Sequence, residues 1–174
     1  MHSCMLTKYE NTLSDRSLIE AYKKLNIRPK IYSFLNRGSD ERQYNSPGVD
    51  LPIASIFRSK YQEYKEYHTS LDNFNLVTKK GVFGGYKVAR YAIEFLSKKI
   101  IPKNKIICEP QLGKRNLYPH ISIYRRKKTT SSKYLDFLQY SDGENDLHDI
   151  SKKIKLDIKE CRKLLKNLLK KKNS

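Results

Sequence analysis

A break in composition at residues 124–132 is the feature that most constrains the fold of this chain. Four consecutive basic residues, at positions 125–128, are followed there by threonine and serine, a composition typical of a linker. The hydrophobic patterns differ on its two sides, because only the later part is purely helical. We therefore expect an α/β part at residues 1–123, a linker at residues 124–132 and a helical domain at residues 133–174.

The C-terminal part predicts a helix-turn-helix. Residues 133–140, 147–154 and 158–170 repeat apolar side chains at the spacing of amphipathic helices. Residues 155–157 separate the last two of these helices by a short turn, as in helix-turn-helix motifs. The third helix has the clearest apolar stripe, formed by Cys161, Leu164, Leu165, Leu168 and Leu169.

Two helices are predicted in the N-terminal part. Asn11 or Ser14 is a suitable cap for a helix that runs to about Leu25. Thr78 is a suitable cap for a longer helix at residues 79–99, whose apolar residues follow the same spacing.

Strands are predicted between and beyond these helices. Residues 30–35 alternate in polarity, and the mostly apolar residues 51–57 predict a strand buried on both faces. Residues 60–72 are polar and rich in tyrosine, which indicates a long surface loop, and residues 105–108 predict a short strand. Residues 1–10 show no clear pattern. The fold class that follows is α/β, with a small helical tail.

The formal net charge of +18 is compatible with an acidic partner such as nucleic acid. The basic residues are spread along the whole chain, however, which favours a solvated lysine-rich surface. Three scattered cysteines make no disulfide framework, and no stretch has the roughly 20 apolar residues of a membrane span. We expect a soluble cytoplasmic protein without a membrane partner.

His68 is the strongest metal-ligand candidate, because it lies in the polar loop with Glu66 and Asp72 close by in sequence. Catalytic zinc needs at least three protein ligands, so the loop alone would leave His68 as an ordinary solvated residue. Asp40 and Glu41 follow the first predicted strand, and each can simply cap the segment after it.

Several motifs occur in the order found in di-zinc exopeptidases of metallopeptidase family twenty-eight. The chain resembles in particular the C-terminal part of aminopeptidase-like proteins associated with bacterial polysaccharide biosynthesis, which end in a winged helix-turn-helix domain. The resemblance covers the chain from about Asn11 to Lys170. Its motifs are residues 11–16 (NTLSDR), 38–42 (GSDER), 47–52 (PGVDLP), 59–61 (SKY), 66–72 (EYHTSLD) and 108–119 (CEPQLGKRNLYP).

This resemblance implies a function and site residues. The function is zinc-dependent hydrolysis of peptide or amide bonds, and the fold is a partial zinc-exopeptidase-like layer of sheet and helices. His68, in the His-Thr-x-x-Asp loop, matches a zinc ligand of the family, and Asp72 is expected to orient that loop. The residues implied in substrate binding or support of the ligands are Asp40, Glu41, Arg42 and Tyr44.

The family's other zinc ligands and its catalytic glutamate have no counterparts in residues 1–10. We therefore expect a truncated fragment that is inactive alone, or one whose remaining ligands come from an upstream half-chain. Whether the chain is an enzyme stays open at this point. The alternative is a basic helix-turn-helix module that contacts nucleic acid or a partner protein, with Lys159, Arg162, Lys163 and Lys166 on phosphates.

Overall fold

The computed structural model describes residues 1–115, 117 and 129–170. The chain divides into an N-terminal unit, Met1–Lys98, and a C-terminal unit, Lys99–Ser174. No helix among the described residues is long and apolar enough to cross a membrane.

A three-stranded sheet organises the N-terminal unit. Its strands are β1 (Ser3–Met5), β2 (Lys30–Tyr32) and β3 (Ser55–Phe57), in the order β2-β1-β3. The central strand β1 is parallel to β2 and antiparallel to β3. All three residues of β1 are buried, and a strand that is covered on both faces has no polar alternation for sequence analysis to detect.

The strands predicted at residues 30–35 and 51–57 are shorter in the structure, where they are β2 and β3. After β2, Ser33 caps a 3-10 turn at Phe34–Asn36, because its hydroxyl accepts a hydrogen bond from the amide of Leu35. The prediction that residues 51–57 form a strand buried on both faces is wrong. Strand β3 begins only at Ser55 and lies at an edge of the sheet, where its residues are half-buried.

Two helices, α1 (Leu13–Lys24) and α3 (Lys79–Ser97), pack against each other in this unit. Thr78 caps α3, as the sequence predicts. Thr12, and not the predicted Asn11 or Ser14, caps α1, because its side chain forms a capping box with Asp15. Such a cap contributes about 1 kcal/mol to helix stability. The helices share a core with the middle of the sheet, formed by Cys4, Leu18, Ala21, Tyr22, Val88 and Ala92.

Among the described residues of the C-terminal unit, three α-helices pack together: α4 (Thr130–Gln139), α5 (Leu147–Ile154) and α6 (Ile158–Lys170). The bounds of α5 and α6 agree with the sequence prediction. Lys155 ends α5 in the left-handed conformation, which turns the chain into α6. The helices enclose an apolar core, formed by Leu112, Tyr134, Phe137, Leu147, Ile150, Ile154, Cys161 and Leu164.

The segment before α4 belongs to this second unit, whereas the sequence placed residues 99–117 with the α/β part. Leu112 is buried in the helical core. The backbone also joins this segment to the helices, since the amide of Leu147 donates to the carbonyl of Ile100 at 2.9 Å. Residues 105–108 do not form the predicted strand. Most of the linker predicted at residues 124–132 lies outside the described residues, and its described end is not a linker, because α4 already begins at Thr130.

Candidate functional site

A long connection without helix or strand joins β3 to α3 and carries the candidate metal ligand. The surface loop predicted at residues 60–72 is therefore confirmed. His68 lies in this loop at a positive φ of 56°, is exposed, and stacks on the ring of Tyr67 with centroids 4.1 Å apart. The imidazole is thus held by an aromatic neighbour while its edge stays open to solvent.

The described residues do not by themselves fit a zinc site. Catalytic zinc needs at least three protein ligands, and no group of three His, Cys, Asp or Glu side chains among the described residues could hold a metal ion. His68 is therefore a single donor here, and no chemical step can be assigned to zinc from this chain.

Glu41 begins the short helix α2 (Glu41–Tyr44), and its carboxylate is engaged inside the protein. Oε1 accepts hydrogen bonds from the amides of Gly38 at 2.8 Å and Ser39 at 3.0 Å, and from the hydroxyl of Tyr61 at 2.6 Å. Burial alone would raise the pKa of Glu41, but these hydrogen bonds outweigh it and lower the pKa. Glu41 thus holds the loop at residues 38–41 to Tyr61.

The other three predicted substrate-binding residues, Asp40, Arg42 and Tyr44, are exposed. Asp40 precedes α2 but its side chain makes no cap hydrogen bond. Their carboxylate, guanidinium and phenol groups are available to a ligand, and their role in substrate binding stays a prediction.

A chain of ring contacts connects Glu41 with His68. Tyr61, which donates to Glu41, lies with its ring centroid 6.3 Å from that of Tyr67, the ring on which His68 stacks. Lys60, which is only 6% exposed, places its ammonium group 4.0 Å from the ring centroid of Tyr61. The structure therefore brings two of the predicted residues into one aromatic region.

A cavity of about 210 Å³ lies beside the same loop, where the chain enters α3. Its polar lining includes Arg58, Tyr64 and Asp72. Desolvation, followed by the nearby charge of Asp72, raises the pKa of the Tyr64 hydroxyl. Sequence analysis did not identify Arg58 and Tyr64 as site residues, since neither belongs to a recognisable motif. Their only signal was position, because Tyr64 lies in the predicted loop and Arg58 lies two residues before it.

The helix-turn-helix presents a separate basic surface in the C-terminal unit. On α6, Cys161 and Leu164 are buried while Lys159, Arg162, Lys163 and Lys166 are exposed. The exposed residues recur every three or four positions, so they share one face of the helix.

Comparisons with known proteins agree with this division of the chain. Residues 1–99 match the profile of a family described as a domain of unknown function, DUF4910. Residues 100–172 match the profile of a winged helix-turn-helix domain. The predicted winged helix-turn-helix at the C-terminus is therefore confirmed.

Two relatives come from Clostridium acetobutylicum. One, provisionally named a polysaccharide biosynthesis protein with aminopeptidase-like domain, is 33% identical over 163 residues, which are 90% of this chain and 36% of the relative. The other, a crystal structure of a provisionally named peptidase, is 27% identical with a TM-score of 0.55, over 98% of this chain and 37% of that one. The chain thus spans little more than a third of these relatives, and its resemblance to aminopeptidase-like proteins is confirmed.

Proposed function

We propose that this chain, which belongs to the family of the domain of unknown function DUF4910, is one part of an aminopeptidase-like zinc hydrolase that acts on peptide or amide bonds. The observation that carries the proposal is the likeness to a peptidase crystal structure over 98% of the chain. The cavity beside the loop of His68 supports it, because peptidases need a pocket next to the reacting centre.

In this proposal the chain supplies binding and positioning groups. His68 is one ligand of a zinc site whose other ligands belong to a further polypeptide segment. Asp40, Arg42 and Tyr44 contact the peptide or amide substrate from the exposed side of α2. Glu41 positions them by accepting hydrogen bonds from the amides of Gly38 and Ser39. Since one histidine cannot hold catalytic zinc, the chain is inactive alone.

The partner that completes the site is an upstream half-chain. Helix α3 supports this part of the proposal, because it is apolar on two faces and only one of them is covered. Val88 and Ala92 are buried, whereas Phe83, Tyr86 and Ile93 are 57%, 54% and 64% exposed. Clusters of exposed apolar side chains mark surfaces that contact other protein, so the outer face suits a further layer of the same domain.

Reconstitution tests the function. The chain is mixed with the separately expressed part of the Clostridium acetobutylicum relative that it does not match, and hydrolysis of leucine p-nitroanilide is followed. We expect hydrolysis by the mixture and by neither component alone, with loss in His68→Ala. A stable complex that releases no nitroaniline at any zinc concentration would overturn the peptidase function.

The second candidate function is nucleic-acid binding by the helix-turn-helix, favoured by the exposed basic face of α6. Contacts between lysines and phosphates release counterions, so such binding weakens steeply with salt. Replacing Lys163 and Lys166 by glutamine should reduce the salt slope by about one per lost contact. The double variant Lys79→Gln with Lys80→Gln, which removes exposed charge from the other unit, is the control. Equal binding by both double variants would exclude α6 as the contact.

A further inference from the structure

Arg58 is a half-buried cation that lines the cavity next to the His68 loop. Among the described residues, no carboxylate lies within ion-pair distance of its guanidinium group. Its Nη1 instead contacts Nε2 of His2, a residue from the other end of the unit. Partly buried charges are usually paired, because burial without a counter-ion is costly.

His2 does not neutralise this charge. An imidazole is neutral or positively charged, and burial first and the charge of Arg58 second lower the pKa of His2, which disfavours its charged form. Its other ring nitrogen, Nδ1, is buried without a hydrogen-bond partner among the described residues. The pair therefore presents a positive charge at the wall of the cavity with no ion-pair partner among the described residues, which suits an anionic ligand.

The rest of the cavity adds a negative group and an apolar wall. Asp72 contributes a carboxylate, and Leu76, Val77 and Val82 contribute aliphatic side chains. The volume of about 210 Å³ is large enough for several waters. That space suits one amino-acid residue, and opposite charges in a single small cavity suit a zwitterion.

We propose that this cavity binds a free α-amino acid with an apolar side chain. Its carboxylate pairs with Arg58, its ammonium group pairs with Asp72, and its side chain lies against Leu76, Val77 and Val82. An apolar amino acid is what an aminopeptidase releases, so the reading of this site as a product or first-residue site rests on the proposed function. Binding itself requires neither zinc nor hydrolysis.

Two adjacent glycines of α3 provide a matched pair of test variants. A Cβ on Gly84 would lie 2.7 Å from Nη1 of Arg58 and 3.3 Å from Cε1 of His2, whereas a Cβ on Gly85 would meet no atom within 4 Å. Both substitutions by alanine favour the helix equally. Gly84→Ala therefore displaces the Arg58 side chain from the cavity, and Gly85→Ala leaves it in place.

Isothermal titration of the full chain with leucine tests the site. Replacing Arg58 by glutamine removes a charge-assisted hydrogen bond, so we expect affinity to fall about tenfold or more. Gly84→Ala should weaken binding in the same direction, while Gly85→Ala should bind leucine as the wild type does. Asp72→Asn should weaken the binding of leucine. It should leave the affinity for N-acetyl-leucine, which lacks the ammonium group, unchanged.

Two ligand controls, leucinamide and inorganic phosphate, complete the test. Leucinamide, which lacks the carboxylate, should bind no better to the wild type than to Arg58→Gln. Inorganic phosphate that binds as tightly as leucine, or a folded wild type that does not bind leucine, would overturn the proposal. Leucine binding without any hydrolysis by the reconstituted mixture would overturn the peptidase function and keep this site.

Discussion

The hydroxyl of Tyr61 donates a 2.6 Å hydrogen bond to the carboxylate of Glu41, twenty residues earlier in the chain. The ring of Tyr61 also passes close to Gly38, where a Cβ would lie only 2.8 Å from Cε2. This contact ties the segment at residues 38–41 to the loop that begins after β3. Replacing Tyr61 by phenylalanine removes one oxygen atom and so tests this contact directly.

Removing that hydroxyl should destabilise the N-terminal unit. Tyr61→Phe leaves the buried Glu41 carboxylate with only its two amide donors, and loss of one hydrogen bond to a charged group costs about 1.5–3 kcal/mol. Urea unfolding followed by fluorescence measures the change. Tyr9→Phe is the control, since the Tyr9 hydroxyl bonds the exposed Asp50, and it should have a clearly smaller effect. Equal effects would show that the Tyr61–Glu41 bond is not a specific support.

Acid should weaken the same region. Because the pKa of Glu41 is lower in the folded protein than its ordinary value, the carboxylate stabilises the fold fully above the unfolded pKa of about 4.3, and this contribution is lost as pH falls below it. Unfolding free energies of the wild type and Glu41→Gln, measured from pH 7 to pH 3, should therefore converge at low pH. A constant difference over this range would contradict the pKa shift.

The C-terminal unit depends on Asp146, which caps α5 and is 1% exposed. Its side chain accepts from the amides of His148 and Asp149 and forms an ion pair with Lys99 at 2.7 Å. Asp146→Ala removes the cap and the charge, and should cost about 2–3 kcal/mol in thermal unfolding. Asp146→Asn keeps a capping oxygen and should cost about half as much. Identical losses would show that the capping oxygen contributes nothing, and an Asp146→Asn variant as stable as the wild type would show that the ion pair contributes nothing.

The outer face of α3 should carry the contact with the missing part of the domain. Ile93→Asp places a charge where the proposed interface is apolar, so association with the unmatched part of the Clostridium acetobutylicum relative should weaken at least about tenfold. Ile107→Asp, at a residue 90% exposed in the other unit, is the control. Self-association of the wild type that is lost only in Ile93→Asp would instead identify a second copy as the occupant.

Local signals explain how much of this fold was predictable. Helices α5 and α6 were predicted to the residue, because Asp146 caps α5 through a capping box with Asp149 and the apolar stripes are strong. Strand β1 was missed because three residues buried on both faces carry no periodic pattern. Residues 99–117 were assigned to the wrong side of the boundary, since the burial of Leu112 depends on helices later in the chain.

Only the residues of the candidate site that belong to a sequence motif could be predicted. His68 and Asp72 were found through the His-Thr-x-x-Asp motif, and the loop around them is confirmed. Arg58 was missed because its contact with His2 joins residues 56 positions apart. The burial of Glu41 was equally hidden, since its hydrogen bonds come from backbone amides and from Tyr61. Tertiary contacts of this kind leave no trace in local sequence patterns.

The zinc content of the reconstituted mixture is the decisive measurement for a shared zinc site with His68 as one ligand. Elemental analysis after desalting would compare the wild type with His68→Ala, and with His148→Ala as a control at another exposed histidine. We expect zinc to be retained near stoichiometry only when the unmatched part of the relative is present, to be lost in His68→Ala and to be kept in His148→Ala. Zinc retained equally by His68→Ala, or no zinc in a complex that has formed, would contradict this expectation.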